Sequence, residues 1–581
     1  MENPVNEAGG LLSVAIVTVV PRSPGGLKVL SPSPFVLKSY VMWRARKDGF
    51  TAPDIDTFVF DLGITTGEMI ANLGTKHYDV VACSVYIWNC NDIIEFADNY
   101  KRQNPEVVIV FGGPQVSPVA DEIIVDYPFV DIIPYVTAPG ETIFYYLLRA
   151  LAKRQPLSEV SNILYRSQNG TINKTGKNIE KIDISQLPSP FLDGTVHIEA
   201  DQNYMAIIES SRGCPFGCAY CFWGSGDKGV EYFTDDRIIA EIAMIYSHPS
   251  VKHVFFTDSD FLLKVNRANQ FIDTIMHYGG ERVKTEVEID ARGINETKKD
   301  AVLKLMRLSN GYILFAVQTT TPEALKLIGK RAGPEVFRNR ASLLRSWLPD
   351  VKIVVDVMLP LPGDTLSGYL ETLDFVLNLE PVRMILNPVI LLPGTAYYEQ
   401  RDSMGLRYSG KPTNILIETP TFPKTDVETA LQISIWFEVL TYYHPATAAF
   451  FYATCSRDGR RRIDRLRQWI DAIEGQLRLF SPYHDLVDRV TSSIKELNAV
   501  KGSVMRHAVS PRESTIIFET ILALEGERYA DLTGDLIVGK EIFRSLAASS
   551  EQPVDPYVSL RGETNAFKTD VSRIIPRFSF Y

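Results

Sequence analysis

The 581-residue chain has a deficit of positive charge. Its 60 Lys and Arg are outnumbered by 70 Asp and Glu, which gives a formal net charge of -10. A general nucleic-acid-binding protein needs a basic surface that neutralises phosphates, so this composition argues against that class. The one basic cluster, RDGRRRIDRLR at 457–467, is more typical of a solvated helix face than of a binding patch.

Cysteines are few, and the start of the chain has no long hydrophobic run. The segment MENPVNEAGG is acidic, and the apolar run after it ends at Pro21, so neither a secretory signal nor a transmembrane helix is predicted. Six cysteines are too few for a disulfide scaffold, and in a reducing compartment a cysteine cluster serves metal binding or catalysis. We expect a cytoplasmic monomer that binds neither membranes nor nucleic acid.

The first part of the chain alternates short β-branched runs with amphipathic segments. The pattern predicts a doubly wound, Rossmann-like parallel sheet over residues 1–154, with strands in LLSVAIVTVV, IDTFVFDL, YDVVACSVYI, EVVIVFGG and FVDIIPYV. Such sheets bind ligands at the carboxyl ends of their strands. The loops at 86–89, 112–117 and 136–141 are therefore candidate ligand contacts, or they only form turns.

Three further regions follow this domain. Residues 155–203 form a connector, with a hairpin predicted at Asn169 and Gly170. Residues 204–400 contain six strand and helix repeats, which indicate a partial (β/α)6 barrel with its active site at the C-terminal strand ends. Residues 401–581 carry helical periodicity and are predicted to form a mostly helical domain that caps the substrate pocket.

The most specific motif is SRGCPFGCAYCFWG at 211–224. Its cysteines, Cys214, Cys218 and Cys221, can bind three irons of a [4Fe-4S] cluster and leave the fourth iron open for substrate. Structural zinc is the alternative, but it normally takes four protein ligands. The remaining three cysteines lie far away in sequence and are expected in the core: Cys83, Cys90 and Cys455.

This C-x-x-x-C-x-x-C spacing at the start of a βα barrel resembles the radical S-adenosylmethionine (SAM) enzymes. RGCPFGCAYCFWG is similar to the subgroup with an N-terminal cobalamin-binding domain, and the resemblance extends over residues 10–400. It implies that the three cysteines hold a [4Fe-4S] cluster whose open iron binds the amino and carboxylate groups of SAM. The residues that it places around SAM are Tyr220 beside the adenine, Asp258 near the methionine moiety, and Arg292 and Gln318.

The same resemblance implies that the first domain binds cobalamin. Cobalamin proteins that replace the lower axial base use a histidine in a D-x-H-x-x-G loop, but no histidine precedes His77, whose context GTKHYDV does not match. The corrin is therefore expected to have no histidine below cobalt. The resemblance nominates Tyr86, Trp88 and Asn89 for the lower face, and Gly112, Gly113, Gln115, Ser117 and Glu141 for the nucleotide tail.

Methyl transfer is the activity that the resemblance implies. The methyl group passes from SAM through methylcobalamin to a carbon of a small-molecule or peptide natural-product precursor, such as the indole of tryptophan, and a flavodoxin or ferredoxin supplies electrons. Glu288 and Asp290 on the third barrel strand are the predicted catalytic residues, unless they pair structurally with Arg292. Ring contraction or cyclisation, and a radical SAM enzyme without cobalamin, stay open as alternatives. A regulatory corrin sensor has no use for the cysteine triad.

Overall fold

The computed structural model describes residues 11–21, 23, 26–136, 140–178, 182–224, 229–440, 445–479, 511–534, 537 and 540. The chain divides into two compact units. The first unit contains residues 1–289, 391–400 and 410–414, and the second unit contains 290–390, 401–409 and 415–581. None of the described helices is both long and apolar enough to cross a membrane.

The first unit is built from two parallel sheets and their helices. Its strands are β1 (Ser13–Val20), β2 (Lys28–Leu30), β3 (Asp54–Asp61), β4 (Val80–Ser84), β5 (Val108–Gly112), β6 (Ile132–Pro134), β7 (Ile163–Arg166), β8 (Ile172–Lys174), β9 (Tyr204–Ile208), β10 (Ser211–Arg212), β11 (Glu231–Tyr232), β12 (Val251–Phe256) and β13 (Lys284–Glu286). Its helices are α1 (Pro32–Lys47), α2 (Thr66–Leu73), α3 (Cys90–Gln103), α4 (Ala120–Asp126), α5 (Gly140–Ala152), α6 (Asp235–Ser247), α7 (Val265–Tyr278) and the short α12 (Ala396–Glu399).

The larger sheet has seven strands in the order β3-β1-β4-β5-β6-β7-β8. Strands β3, β1, β4, β5 and β6 pair in parallel, and β7 and β8 form an antiparallel hairpin at its edge. The central strands β1 and β4 are almost entirely buried, as expected for β-branched strands covered by helices on both faces. Because the strand order runs outward in both directions from β1, a crevice opens at the carboxyl ends of β1 and β4.

The smaller sheet has the order β13-β12-β9-β2, with all neighbours parallel. Its edge strand, β2, comes from the N-terminal part of the chain, where Lys28 pairs with Tyr204 and Leu30 with Ala206. Strands β10 and β11 pair antiparallel and close the base of the loop that carries the three clustered cysteines. Through β1 and β2, the N-terminal part of the chain therefore contributes a strand to both the seven-stranded and the four-stranded sheet.

The second unit contains a three-stranded parallel sheet, β14-β15-β16, with helices along the chain between and after its strands. Its elements are α8 (Lys299–Leu308), β14 (Tyr312–Gln318), α9 (Pro322–Ile328), α10 (Pro334–Trp347), β15 (Lys352–Leu359), α11 (Leu366–Asn378), β16 (Arg383–Pro388), β17 (Arg407–Tyr408), β18 (Leu416–Glu418), α13 (Lys424–Glu438), α14 (Pro445–Asp458), α15 (Arg462–Leu479) and α16 (Pro511–Glu525). The helical segment predicted at 483–500 lies outside the described residues.

Candidate functional site

The cysteine loop follows directly from β9 and β10. Cys214 is buried, and Cys218 and Cys221 are partly exposed; all six cysteines of the chain are free thiols. Gly213 has a φ of +95°, and a Cβ there would lie 2.3 Å from the carbonyl oxygen of Gly229, so only glycine fits where the loop closes on itself. The loop thus presents three thiols on a backbone that is fixed at its base.

The arrangement of these thiols bears on the zinc alternative. Among the described residues, no three His, Cys, Asp or Glu side chains are grouped as ligands of a single metal ion. A cubane cluster does not need its ligands to converge on one ion, because each thiolate binds its own iron. The donor set of three cysteines without a fourth protein ligand therefore fits a [4Fe-4S] cluster with one open iron better than mononuclear zinc.

Asp258 secures the strand that leads into the cysteine loop. Its carboxylate is 4% exposed and accepts hydrogen bonds from Ser210 Oγ and Ser211 Oγ, both at 2.6 Å. Arg267 adds a bond to Ser210 Oγ at 2.7 Å, and Ser259 Oγ donates to Gly213 O at 3.0 Å. Asp258 thus has an evident positioning role, and its contact with SAM stays a prediction.

A cavity of ≈ 420 Å³ lies at the carboxyl ends of β1, β4, β5 and β6, where the strand order places the crevice. Most of its wall comes from the seven-stranded sheet and from α1 and α5, and the rest from the strand ends around the cysteine loop. The latter group is Glu209, Arg212, Phe222 and Thr257. The cavity is mainly apolar and open on one side, so it fits the face of a large flat ligand such as a corrin.

The structure brings five of the eight predicted cobalamin residues to this cavity. They are Tyr86, Gly112, Gly113, Ser117 and Glu141. The other three do not line it: Trp88 stacks on Tyr86, Asn89 is fully buried, and Gln115 Nε2 donates to Pro412 O at 2.6 Å. Asn89 instead accepts from Tyr86 N at 2.8 Å and donates to Val19 O at 2.9 Å. Asn89 therefore shapes the loop that carries Tyr86.

Gly113 lies where the loop after β5 comes closest to Val85, the residue that follows β4. Its φ is +116°, and a Cβ would lie 2.5 Å from Val85 O, whereas a Cβ at Gly112 would meet nothing within 4 Å. We expect Gly113→Ala to lower the free energy of unfolding by about 1–3 kcal/mol from backbone strain alone, with the clash adding to it. The matched change Gly112→Ala should leave the denaturation midpoint near that of the wild type. Equal midpoints for the two variants would contradict this account of the loop.

Arg212 joins the two parts of the cavity wall. Its guanidinium holds Glu209 in a bidentate pair at 3.0 and 2.8 Å and also reaches Glu141 Oε1, at the start of α5, at 2.8 Å. Glu141 is buried, so its carboxylate depends on this cation. Sequence reasoning assigned Glu141 to the cofactor and missed Arg212, although Arg212 lies only two residues before Cys214.

The two predicted catalytic carboxylates have different surroundings. Burial alone would raise the pKa of Asp290, but bonds from Arg292 at 2.8 and 2.9 Å outweigh it and lower that pKa. Burial and the neighbouring Glu286 raise the pKa of Glu288, and no described residue donates a hydrogen bond to its carboxylate. Glu288 is thus the more easily protonated of the two carboxylates, and its catalytic role stays a prediction.

Gln318 ends β14 in the second unit. It is 5% exposed, its φ is +68°, and its Oε1 is buried without a hydrogen-bond partner among the described residues. Buried polar atoms are nearly always paired, and strained backbone often marks ligand sites. These two features make Gln318 a candidate for binding a ligand, and its contact with SAM stays a prediction. Tyr220, between Cys218 and Cys221, is partly exposed on the cysteine loop.

Comparison with protein families identifies two domains in the chain. Residues 36–145 match the B12 binding domain, and residues 208–376 match the Radical SAM superfamily. The first match covers β3 to β6 and most of the helices around the cavity, and the second begins at the end of β9, just before the three cysteines. The predicted resemblance to cobalamin-dependent radical SAM enzymes is confirmed, and with it the cofactor set of a [4Fe-4S] cluster, SAM and cobalamin.

Two curated relatives are methyltransferases by name. The chain is 30% identical over 257 residues to 2-(S-pantetheinyl)-carbapenam-3-carboxylate methyltransferase from Streptantibioticus cattleyicolor, covering 42% of this chain and 37% of the relative. It is 27% identical over 380 residues to the cobalamin-dependent radical SAM methyltransferase TokK from Streptomyces tokunonensis, covering 61% and 53%. The matches thus span about half or less of the length of these relatives.

A solved structure extends the likeness to most of the chain. The cobalamin-dependent SAM radical enzyme OxsB, with aqua-cobalamin and SAM bound, superposes with a TM-score of 0.54 at 16% identity, over 92% of this chain and 84% of OxsB. At this identity the likeness shows the fold. It confirms the predicted fold class, in which an N-terminal Rossmann-like domain is followed by a radical SAM domain and a mostly helical region.

Proposed function

We propose that this protein is a cobalamin-dependent radical SAM methyltransferase that methylates a carbon of a small-molecule or peptide natural-product precursor. When bound, SAM on the cluster provides reductive cleavage, and cobalamin carries the methyl group. The observation that supports this most is the shared cavity. Its wall combines Tyr86 and Gly113 of the cobalamin domain with Arg212 and Phe222 of the cysteine loop, so a corrin held there would lie beside the loop that holds the cluster.

Tyr86 is the proposed residue under cobalt. It lines the cavity, and its ring stacks on Trp88 with centroids 4.6 Å apart and planes 6° apart. Trp88 Nε1 is itself fixed by Val19 O at 3.2 Å, so Trp88 acts as a rigid backing for Tyr86. Burial raises the pKa of Tyr86, and its hydroxyl therefore stays neutral and a weak ligand at best. This agrees with a corrin that has no strong lower ligand from the protein.

Three other residues receive roles in the proposal. Glu288 serves as the acid or base, since burial and the neighbouring Glu286 raise its pKa above that of an ordinary carboxyl. Gln318 contacts SAM through its unpaired Oε1. Arg292 helps to hold SAM and also keeps Asp290 in place. An external flavodoxin or ferredoxin supplies electrons.

The proposal is tested by loading the cluster-reconstituted protein anaerobically with hydroxocobalamin and separating unbound corrin by gel filtration. We expect about one corrin per chain with a spectrum that lacks a coordinated base, and transfer of labelled methyl groups from SAM to candidate precursors. Tyr86→Phe should change the cobalt spectrum. Tyr78→Phe is the matched control, because it removes another buried hydroxyl of the same sheet, one that donates to Asp56 at 2.8 Å.

One result would overturn the proposal, and another would remove Tyr86 from it. If the wild type retains no corrin, the reaction belongs to a radical SAM enzyme without cobalamin. If corrin is retained but Tyr86→Phe and Tyr78→Phe give the same spectrum as the wild type, Tyr86 does not face cobalt.

A further inference from the structure

Tyr397 is a buried tyrosine on the short helix α12, next to the cysteine loop. Its side chain is 1% exposed, and its backbone N donates to Ala219 O at 3.0 Å. Because Ala219 directly follows Cys218, this bond fixes α12 against the middle of the loop. Nothing in the sequence pattern signals this contact, since Tyr397 lies 176 positions after Cys221.

The hydroxyl of Tyr397 has no hydrogen-bond partner among the described residues, although its oxygen is completely buried. Buried tyrosine hydroxyls usually find a partner, so an unpaired one indicates that an acceptor binds there. The side chains of Tyr397 and Cys218 lie close enough to interact electrostatically. The buried hydroxyl is therefore an unused hydrogen-bond donor beside the place where the cluster binds.

We infer that the Tyr397 hydroxyl donates a hydrogen bond to a sulfur at the Cys218 corner of the [4Fe-4S] cluster and so raises the reduction potential of the cluster. Reduction adds negative charge to the cluster sulfurs, and a hydrogen-bond donor stabilises that charge. Tyr397 acts through the cluster and contacts no substrate in this account, so it is a positioning residue. The inference depends on the cluster part of the proposed function and is independent of methyl transfer.

The consequence concerns electron delivery. A cluster whose potential lies too far below that of its flavodoxin or ferredoxin donor is reduced in only a small fraction of molecules. A hydrogen bond that raises the potential enlarges this fraction and with it the rate of reductive SAM cleavage. Tyr397 would thereby match the cluster to its donor.

The test is a potentiometric titration of reconstituted wild type and Tyr397→Phe, followed by electron paramagnetic resonance of the reduced cluster. Phenylalanine keeps the buried ring and the backbone bond to Ala219, and it removes only the donor. We expect a more negative midpoint in the variant. At a fixed potential the ratio of oxidised to reduced cluster should rise by up to tenfold, which corresponds to about 59 mV for a one-electron couple.

The matched control is Tyr246→Phe, which removes a fully buried hydroxyl in the same unit that already bonds to Thr285 Oγ1 at 2.8 Å. Its midpoint should equal that of the wild type. A second measurement looks for an exchangeable proton coupled to the reduced cluster by electron-nuclear double resonance, which should be present in the wild type and lost in Tyr397→Phe.

The failures of the two proposals are distinguishable. A wild type that assembles no cluster overturns the proposed function and this inference together. A wild type with a cluster, and a Tyr397→Phe variant with the same midpoint and the same exchangeable protons, overturns the inference and leaves the proposed function standing.

Discussion

Cys218→Ala is expected to abolish the cluster and, with it, all SAM turnover. The open iron that binds SAM exists only when the other three irons are held by three thiolates, so removing one thiolate takes away a corner of the cluster. We expect the variant to contain almost no iron or acid-labile sulfide after reconstitution and to cleave SAM only at the background rate. Iron analysis, visible absorbance and the yield of 5'-deoxyadenosine measure this.

Cys90→Ala is the matched control for this substitution. Cys90 is a buried thiol at the start of α3, where burial raises its pKa to about 12, so it stays protonated and inert. The control removes the same sulfur from a core position and should leave the iron content unchanged. A Cys218→Ala protein with full iron content and turnover would refute the central assignment of the site.

Arg212→Met should strip the protein of cobalamin. The substitution keeps the length of the side chain but leaves Glu141 and Glu209 without their shared cation. Breaking a buried ion pair in this way costs roughly 3–5 kcal/mol, and we expect the lower end because Arg212 is 29% exposed. Since both carboxylates line the cavity, their repulsion should also deform its wall. Thermal unfolding and corrin retention after gel filtration measure the two effects.

A triple variant separates the stability effect from the cofactor effect. Adding Glu141→Gln and Glu209→Gln to Arg212→Met removes the uncompensated charges, so the melting temperature should recover. Corrin retention should stay low, because the bidentate contact that holds the cysteine loop beside α5 is still missing. If Arg212→Met alone keeps both its melting temperature and its corrin, the ion-pair network does not organise the cavity.

Local sequence patterns predicted the five parallel strands of the larger sheet, but they assigned the hairpin β7–β8 to a separate connector, although it joins the edge of this sheet. Strands such as β1 and β4 are buried on both faces, and a strand in that position must be a continuous apolar, β-branched run, which is visible without any tertiary information. The strand β2 was missed because its three residues are too few to carry a pattern, and it forms only by pairing with β9.

Some of the predicted site residues lie where the sequence placed them, and others do not. Tyr86, Gly112 and Gly113 could be placed at the cavity because parallel strands end at a common edge. Trp88 and Asn89 are close to Tyr86 in sequence, but the turn after β4 directs them into the packing behind it, and spacing alone cannot predict that direction. Asp290 was correctly suspected of pairing with Arg292, since the two are only two residues apart.

The sequence by itself determined the cysteine triad, the alternation of strands and helices, and the family, because each of these is written in residues that are close together along the chain. Only the tertiary structure decided that Arg212 bridges Glu141 and Glu209, that Asp258 holds Ser210 and Ser211, and that Tyr397 lies against Ala219. The physical reason is that a single side chain bonds to whatever the packed backbone brings within about 3 Å, and that partner leaves no periodic trace in the sequence.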